Sequence, residues 1–305
     1  MNPYLRIARI DHWFKNIFMI PGVVLGAMLA DTLPNDLFWR LLLGVFSVCL
    51  IASANYTINE WLDRSFDRFH PIKKARAAVQ EKMNPTLVYL QWAVLAAAGL
   101  GLSLAIGTEF LVMNVILLIM GVLYNVPPIR TKDLKYLDVL SESINNPLRF
   151  LLGWYIIAPA AIPPSSVLIS YWMGGAFLMG VKRYAEYRHI ANPELAGQYR
   201  RSFRYYTEES LLLSSLLYAF ISAVLLGVFL VRYKVEFLLS IPLFSILFVW
   251  YLHISMQANS ASQAPEKLYR EKGFMAFIVL LSVVTMGLFF VEIPWLAWVL
   301  NPNHS

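Results

Sequence analysis

The sequence predicts an all-α fold, a polytopic membrane bundle of about nine transmembrane helices. Three observations carry this. The 305 residues are 58% hydrophobic and only 14% charged, whereas a soluble domain carries about 25% charged residues. Several windows hold roughly 17–25 nearly uncharged apolar residues, enough to cross a hydrocarbon core. The net charge of +6 is also unevenly spread along the chain.

In chain order the spans are predicted at 16–32, 37–59, 86–106, 109–125, 138–160, 165–182, 210–231, 236–255 and 274–298. All of the 25 Lys and Arg except Arg40, Arg149, Arg232 and Lys234 fall in the N-terminus or at the loops after the second, fourth, sixth and eighth spans. By the positive-inside rule that side is cytoplasmic. The N-terminus is then inside, the C-terminus outside, and the membrane is expected to be a bacterial inner membrane. The outward loops DTLPND, IGTE and PAAIPPSS are short connectors. Chemistry is therefore expected on the cytoplasmic side of a single catalytic domain, 1–305. The lone cysteine, Cys49, lies within the second span and reads as core rather than reactive thiol. The N-terminus lacks a cleavable-signal pattern, so the first span is expected to act as its own insertion signal.

The second span ends in NEWLDRSFDRFHPIKKAR, Asn59 to Arg76. On a helix with Asn59 at zero, Asp63, Asp67 and Glu60 fall at about 40°, 80° and 100°, with His70 at about 20° if the helix persists. The acids thus share one stripe that begins inside the apolar run. A solvated helix end with i,i+4 pairs is the plainer interpretation. Acids beside a span are rare, however, and usually face a cavity. Carboxylate and amide oxygens suit Mg²⁺, which takes few protein ligands and leaves the rest to phosphate and water. Asn59, Glu60, Asp63 and Asp67 are the candidate metal ligands, and no Cys/His cluster argues for zinc. Lys73, Lys74 and Arg76 follow at once, as a pyrophosphate would need.

The fifth span opens YLDVLSESINNPLRF. Asp138, Glu142, Asn145 and Arg149 share one face, each within about 40° of Asp138. Pro147 predicts a kink, and Arg149 is expected to pair with Asp138, Glu142 or a bound phosphate. The preceding loop, with Tyr124, Arg130, Lys132 and Lys135, reads as a basic lip. The sixth span ends in VKRYAEYRHI. There Lys182 and Glu186 form an i,i+4 pair, and Arg183 with Arg188, Arg200, Arg201 and Arg204 makes the most basic loop. A second anionic group on a substrate or acidic lipid headgroups would each account for it.

The pattern Asn59-Glu60-x-x-Asp63-x-x-x-Asp67 resembles the NDxxDxxxD signature of the UbiA superfamily of intramembrane prenyltransferases, and the likeness spans the chain. It implies two acid-bearing helices that hold Mg²⁺ and a diphosphate at a cytoplasmic-side cavity. Within the superfamily, three features resemble the decaprenyl-phosphate phosphoribosyltransferase group. These are His12-Trp13-x-Lys15-Asn16, His70-Pro71-x-Lys73-x-x-Arg76, and the run Lys182-Arg183-Tyr184-Ala185-Glu186. The implied reaction moves phosphoribose from phosphoribosyl pyrophosphate to a polyprenyl phosphate. Lys73, Arg76 and Lys132 would then stabilise the leaving group, Lys182 and Arg183 the 5-phosphate, and Lys15 and Asn16 the lipid phosphate. Glu142 and the Pro127-Pro128 loop instead look like the aromatic-acceptor prenyltransferases, in which Asp138 or Glu142 would orient the acceptor or hold a second Mg²⁺. The expected partners are an isoprenoid lipid, a phosphorylated or diphosphate co-substrate and the membrane, with no nucleic acid. A transporter or lipid-binding protein fits less well, because no inverted repeat is evident and the polar groups cluster on one side.

Overall fold

A computed structural model describes residues 2–69, 73–190, 192–257, 268 and 270–300. Among them the regular structure is helical, without strands: α1 (Pro3–Ile7), α2 (Ile20–Leu29), α3 (Leu37–Asp67), α4 (Ala77–Gln80), α5 (Pro85–Leu104), α6 (Thr108–Asn125), α7 (Leu137–Ser143), α8 (Asn145–Ile157), α9 (Ser165–Ile190), α10 (Pro193–Tyr199), α11 (Glu208–Tyr233), α12 (Ile241–Met256), α13 (Lys272–Phe290) and α14 (Pro294–Leu300). Short 3-10 turns join several of them. Among the described residues, seven segments are long and apolar enough to cross a membrane: Pro3–Leu29, Leu37–Asp67, Pro85–Leu104, Thr108–Asn125, Glu208–Tyr233, Val235–Met256 and Lys272–Phe290. The other two predicted spans coincide with α7–α8 and α9.

The departures from the predicted spans have local causes. The second span runs on without a break to Asp67 as one 31-residue helix, so its acids are delivered on the membrane helix itself. The helix stops there, and Lys73 and Lys74 belong to a separate 3-10 turn, Lys73–Ala75. The kink expected from Pro147 falls at Ile144, a one-residue interruption between α7 and α8 that keeps right-handed helical dihedrals. Proline has no N–H to return to the Ser143 carbonyl, which is where the first helix ends. The ninth span divides at 291–293, and α14 restarts on Pro294, a residue suited to a first helical turn.

The chain divides into two compact units. The first comprises Met1–Pro163 and Pro193–Tyr205, the second Pro164–Asn192 and Tyr206–Ser305. In the first, Met19, Val48, Ile51, Phe110, Leu117, Leu148, Leu152 and Ile156 form a common core. There α2 crosses α8 at bare backbone. A Cβ on Gly22 would lie 1.9 Å from the Phe150 carbonyl oxygen, and one on Gly153 would lie 2.1 Å from that of Met19. Lipid offers no hydrophobic drive for helix association, so such small-residue contacts are what let membrane helices pack. Polar residues add to the seam: Asn114 Nδ2 donates to Ser47 Oγ at 2.8 Å and Ser103 Oγ at 2.9 Å, joining α3, α5 and α6. In the second unit α9 and α11 are pinned by reciprocal bonds, Ser170 Oγ to the Ser222 carbonyl at 2.8 Å and Ser222 Oγ to the Ser170 carbonyl at 2.9 Å. Its outer surface is apolar, as at Leu217, Phe220 and Val224 of α11.

Candidate active site

Successive turns of α3 set Asn59, Asp63 and Asp67 on one side, each four residues from the last. Asp63 Oδ1 accepts from Lys132 Nζ at 2.5 Å and from an Arg130 terminal nitrogen at 2.8 Å. Asn59 Nδ2 lies 3.4 Å from Asp63 Oδ2. Asp67 Oδ2 accepts from Arg76 at 2.5 Å. Two separate basic segments thus converge on consecutive acids of one helix. Glu60 is buried and accepts the Ala78 N–H at 3.3 Å, which ties α4 to α3. Lys73 lies on the 3-10 turn leading to Arg76, and His70 falls outside the described residues.

Beside Asn59 and Lys132 stands a residue that the sequence did not single out. Asn125, the last residue of α6, accepts at Oδ1 from Asn59 Nδ2 at 2.5 Å and from Lys132 Nζ at 2.7 Å. Its backbone carbonyl accepts from Arg130 at 3.0 Å, and its Nδ2 donates to the Gly121 carbonyl at 2.8 Å. The available signal was a carboxamide ending an apolar helix. Arg130 sits at φ 33°, in the left-handed region. For a residue other than glycine this costs about 1–3 kcal/mol and persists only where the surroundings fix it. Here Asp63, Asn125 and Asp133, the last accepting from Arg130 Nε at 3.0 Å, fix it. Lys132 is buried in the loop after α6, and that burial pulls its ammonium pKa down to about 8 even though Asp63 opposes the fall.

The second polar helix is organised separately within the same unit. Asp138 is fully buried and accepts from Ser202 Oγ at 3.0 Å and Arg200 at 3.4 Å. Glu142 accepts from the Tyr124 hydroxyl at 2.8 Å, and Lys132 Nζ stands 5.7 Å above the Tyr124 ring, so Tyr124 touches both constellations. For Arg149 the sequence pointed to acids or phosphate. The contacts include two neutral groups, Asn16 Oδ1 at 2.9 Å and the Asn145 carbonyl at 3.4 Å. Asn16 in turn donates to Cys49 Sγ at 3.1 Å, and Lys15 lies 5.9 Å from the Tyr56 ring centre. Lys182, Arg183 and Glu186 belong to the second unit. The ion pair expected of Lys182 with Glu186 is made instead by Arg183, at 3.1 Å, because i,i+3 residues are also neighbours on a helix.

Among the described residues no three His, Cys, Asp or Glu converge into a ready-made metal cage. The donors nevertheless fit Mg²⁺. Asp63, Asp67 and the Asn59 amide offer hard oxygens, and each acid is already shared with a cation. Mg²⁺ characteristically takes one or two carboxylates and completes its shell with substrate phosphate and water.

A model of the UbiA prenyltransferase family matches residues 19–281. The chain is 28% identical over 200 residues to the nodulation protein NoeC of Azorhizobium caulinodans, covering 64% of this chain and 62% of that protein. It is 30% identical over 122 residues to 4-hydroxybenzoate octaprenyltransferase of Aeromonas hydrophila, covering 40% and 42%. The matched part therefore spans less than two thirds of either relative. Among solved structures, a UbiA homologue from Archaeoglobus fulgidus bound to DMAPP and Mg²⁺ superposes with a TM-score of 0.71 at 21% identity, over 95% of this chain and 100% of that one.

Proposed function

This chain belongs to the UbiA prenyltransferase family, and on that premise we propose that it is a Mg²⁺-dependent integral-membrane transferase that cleaves a diphosphate from its donor at the cytoplasmic face of a bacterial inner membrane. One observation carries the proposal. Asp63 and Asp67, on one face of a membrane helix, each hold a cation from a different loop, so acids and bases stand ready together for a metal-bound diphosphate. Asn59, Asp63 and Asp67 are the residues that would hold Mg²⁺. The ion supplies charge neutralisation on the diphosphate. Lys132, Arg130 and Arg76 donate to the departing oxygens, and burial strengthens those bonds.

The donor we propose is phosphoribosyl pyrophosphate and the acceptor a polyprenyl phosphate. The KRYAE-like end of α9 and the His12-to-Asn16 segment support this choice. The bond from ribose C1 to the pyrophosphate oxygen breaks with its electron pair on pyrophosphate. A phosphate oxygen of the lipid then attacks the oxocarbenium-like carbon. That nucleophile is already anionic, so no general base is needed. Two observations favour a second reading, prenyl transfer to an aromatic acceptor: the resemblance to an octaprenyltransferase and the Tyr124–Glu142 contact, which would line an acceptor pocket.

One experiment separates them. Detergent-purified protein with Mg²⁺ is offered labelled phosphoribosyl pyrophosphate with polyprenyl phosphate, then polyprenyl diphosphate with an aromatic acid. Lipid-linked ribose is the expected product, and a prenylated aromatic would replace the first reading by the second. In either assay Asp63→Ala and Asp67→Ala each lower kcat by about 10²-fold or more, and turnover that survives both changes overturns the site.

A further inference from the structure

A cavity of about 470 Å³ opens in the first unit between the loop after α6 and the turn after α10, lined by Asp133, Leu134, Lys135, Arg201, Arg204 and Tyr205. This volume lies within the roughly 300–1,000 Å³ typical of small-ligand sites. Three cations line it against one acid, and the acid's charge is already divided. Asp133 Oδ2 takes Arg130 Nε at 3.0 Å and Arg201 at 3.4 Å.

The arginines are held in place. Arg201 lies 4.8 Å from the centre of the Phe66 ring. Arg204 donates Nε to the Gly197 carbonyl at 3.3 Å, and its Cγ lies 2.6 Å from where a Gly197 Cβ would be. The bare glycine lets the Arg204 stem lie flat across α10. Guanidinium groups fixed in this way lose little freedom when an anion arrives. The wall also carries exposed Leu134 and Tyr205, and cations set among exposed apolar and aromatic groups suit the headgroup level of a bilayer.

We propose that this cavity is a second anion subsite that takes a phosphate group, beyond the diphosphate site at Asp63 and independent of which donor that site uses. The phosphate belongs either to an anionic lipid headgroup or to a soluble phosphate ester. A run of alternating charges joins the two places: Arg201 to Asp133 at 3.4 Å, Asp133 to Arg130 at 3.0 Å, Arg130 to Asp63 at 2.8 Å. Phosphate drawn to Arg201 loosens its hold on Asp133 and leaves that acid to Arg130, so occupancy of the outer cavity is felt at Asp63.

The full chain is tested in nanodiscs. One arm titrates inorganic phosphate into phosphatidylcholine discs. The other measures phosphatidylglycerol retained from mixed discs by native mass spectrometry. Lys135→Gln/Arg204→Gln is expected to weaken one or both by about tenfold. Lys135→Arg/Arg204→Lys keeps them. Lys82→Gln/Lys272→Gln, which removes the same charge elsewhere, also keeps them. Loss confined to phosphatidylglycerol assigns a lipid headgroup, and loss confined to phosphate assigns a soluble ester. Retention of both in the Gln pair, or an equal loss in the Lys82/Lys272 pair, overturns the subsite. If the double variant does not fold, Lys135→Gln alone carries the test, with a smaller loss of the same kind.

Discussion

At Asn125 one carboxamide oxygen accepts from Asn59 and Lys132 while the backbone carbonyl of the same residue accepts from Arg130. Replacing it with leucine strands two donors in a water-poor site, at about 1–3 kcal/mol for each unsatisfied group. Asn125→Leu is therefore expected to lower kcat/KM by about 10–100-fold, the scale seen when partners of metal-site ligands are lost, and to lower the melting temperature by a few degrees. Unchanged kinetics would remove Asn125 from the site. Lys132 supplies the pH dependence. Burial lowers its pKa to about 8, so it is a cation below that pH and neutral above it. Pyrophosphate affinity, measured without divalent metal, is expected to fall as pH rises through about 8. Lys132→Arg keeps its charge throughout and should flatten the profile. A fall that survives in the Arg variant would assign the titration to another group.

The acids owe their arrangement to helix periodicity, and for that reason they were legible. Asn59, Asp63 and Asp67 recur every four residues, and α3 continues through them. What periodicity cannot supply is the partner. Asp138 meets Ser202 and Arg200 across more than sixty residues of chain, and no local pattern links those positions. Within α9 the i,i+4 pairing of Lys182 with Glu186 was the readable choice, yet it is the buried Arg183 that meets Glu186, at i,i+3. Breaks were legible where proline dictates them, as at Pro147. The 3-10 stretch Ile10–Met19 was not, since its apolar composition reads the same in either helix. Close helix crossings are equally hard to read, because a glycine in an apolar run looks alike whether it faces a neighbour or lipid. The structure separates the two cases. Gly153 abuts the Met19 carbonyl, while a Cβ on Gly101 would meet nothing within 4 Å. Gly153→Ala should therefore destabilise by about 1–3 kcal/mol, read as a lower melting temperature in detergent. Gly101→Ala should leave it unchanged or raise it. Equal melting for both variants would contradict the α2–α8 crossing.

For the whole molecule, the strongest constraint is charge placed against hydropathy. The apolar segments demand a membrane, and the distribution of Lys and Arg is the basis for the proposed cytoplasmic side. The proposed function depends on that orientation, because phosphoribosyl pyrophosphate is a cytoplasmic metabolite class, a soluble phosphorylated sugar that does not cross lipid. Two positions report it. Lys82 is exposed in the segment between α4 and α5, and Ile162 is 88% exposed in the segment between α8 and α9. The native Cys49 is buried, so it gives little background. In intact cells a membrane-impermeant maleimide is expected to label Ile162→Cys at once. Lys82→Cys should react only after the membrane is opened. The reverse pattern would turn the protein over and put Asp63, Lys132 and the outer cavity on the wrong side for a cytoplasmic donor. Labelling of both positions in intact cells would mean that the α5-to-α8 stretch does not separate them by a membrane at all, and the span assignment itself would have to change.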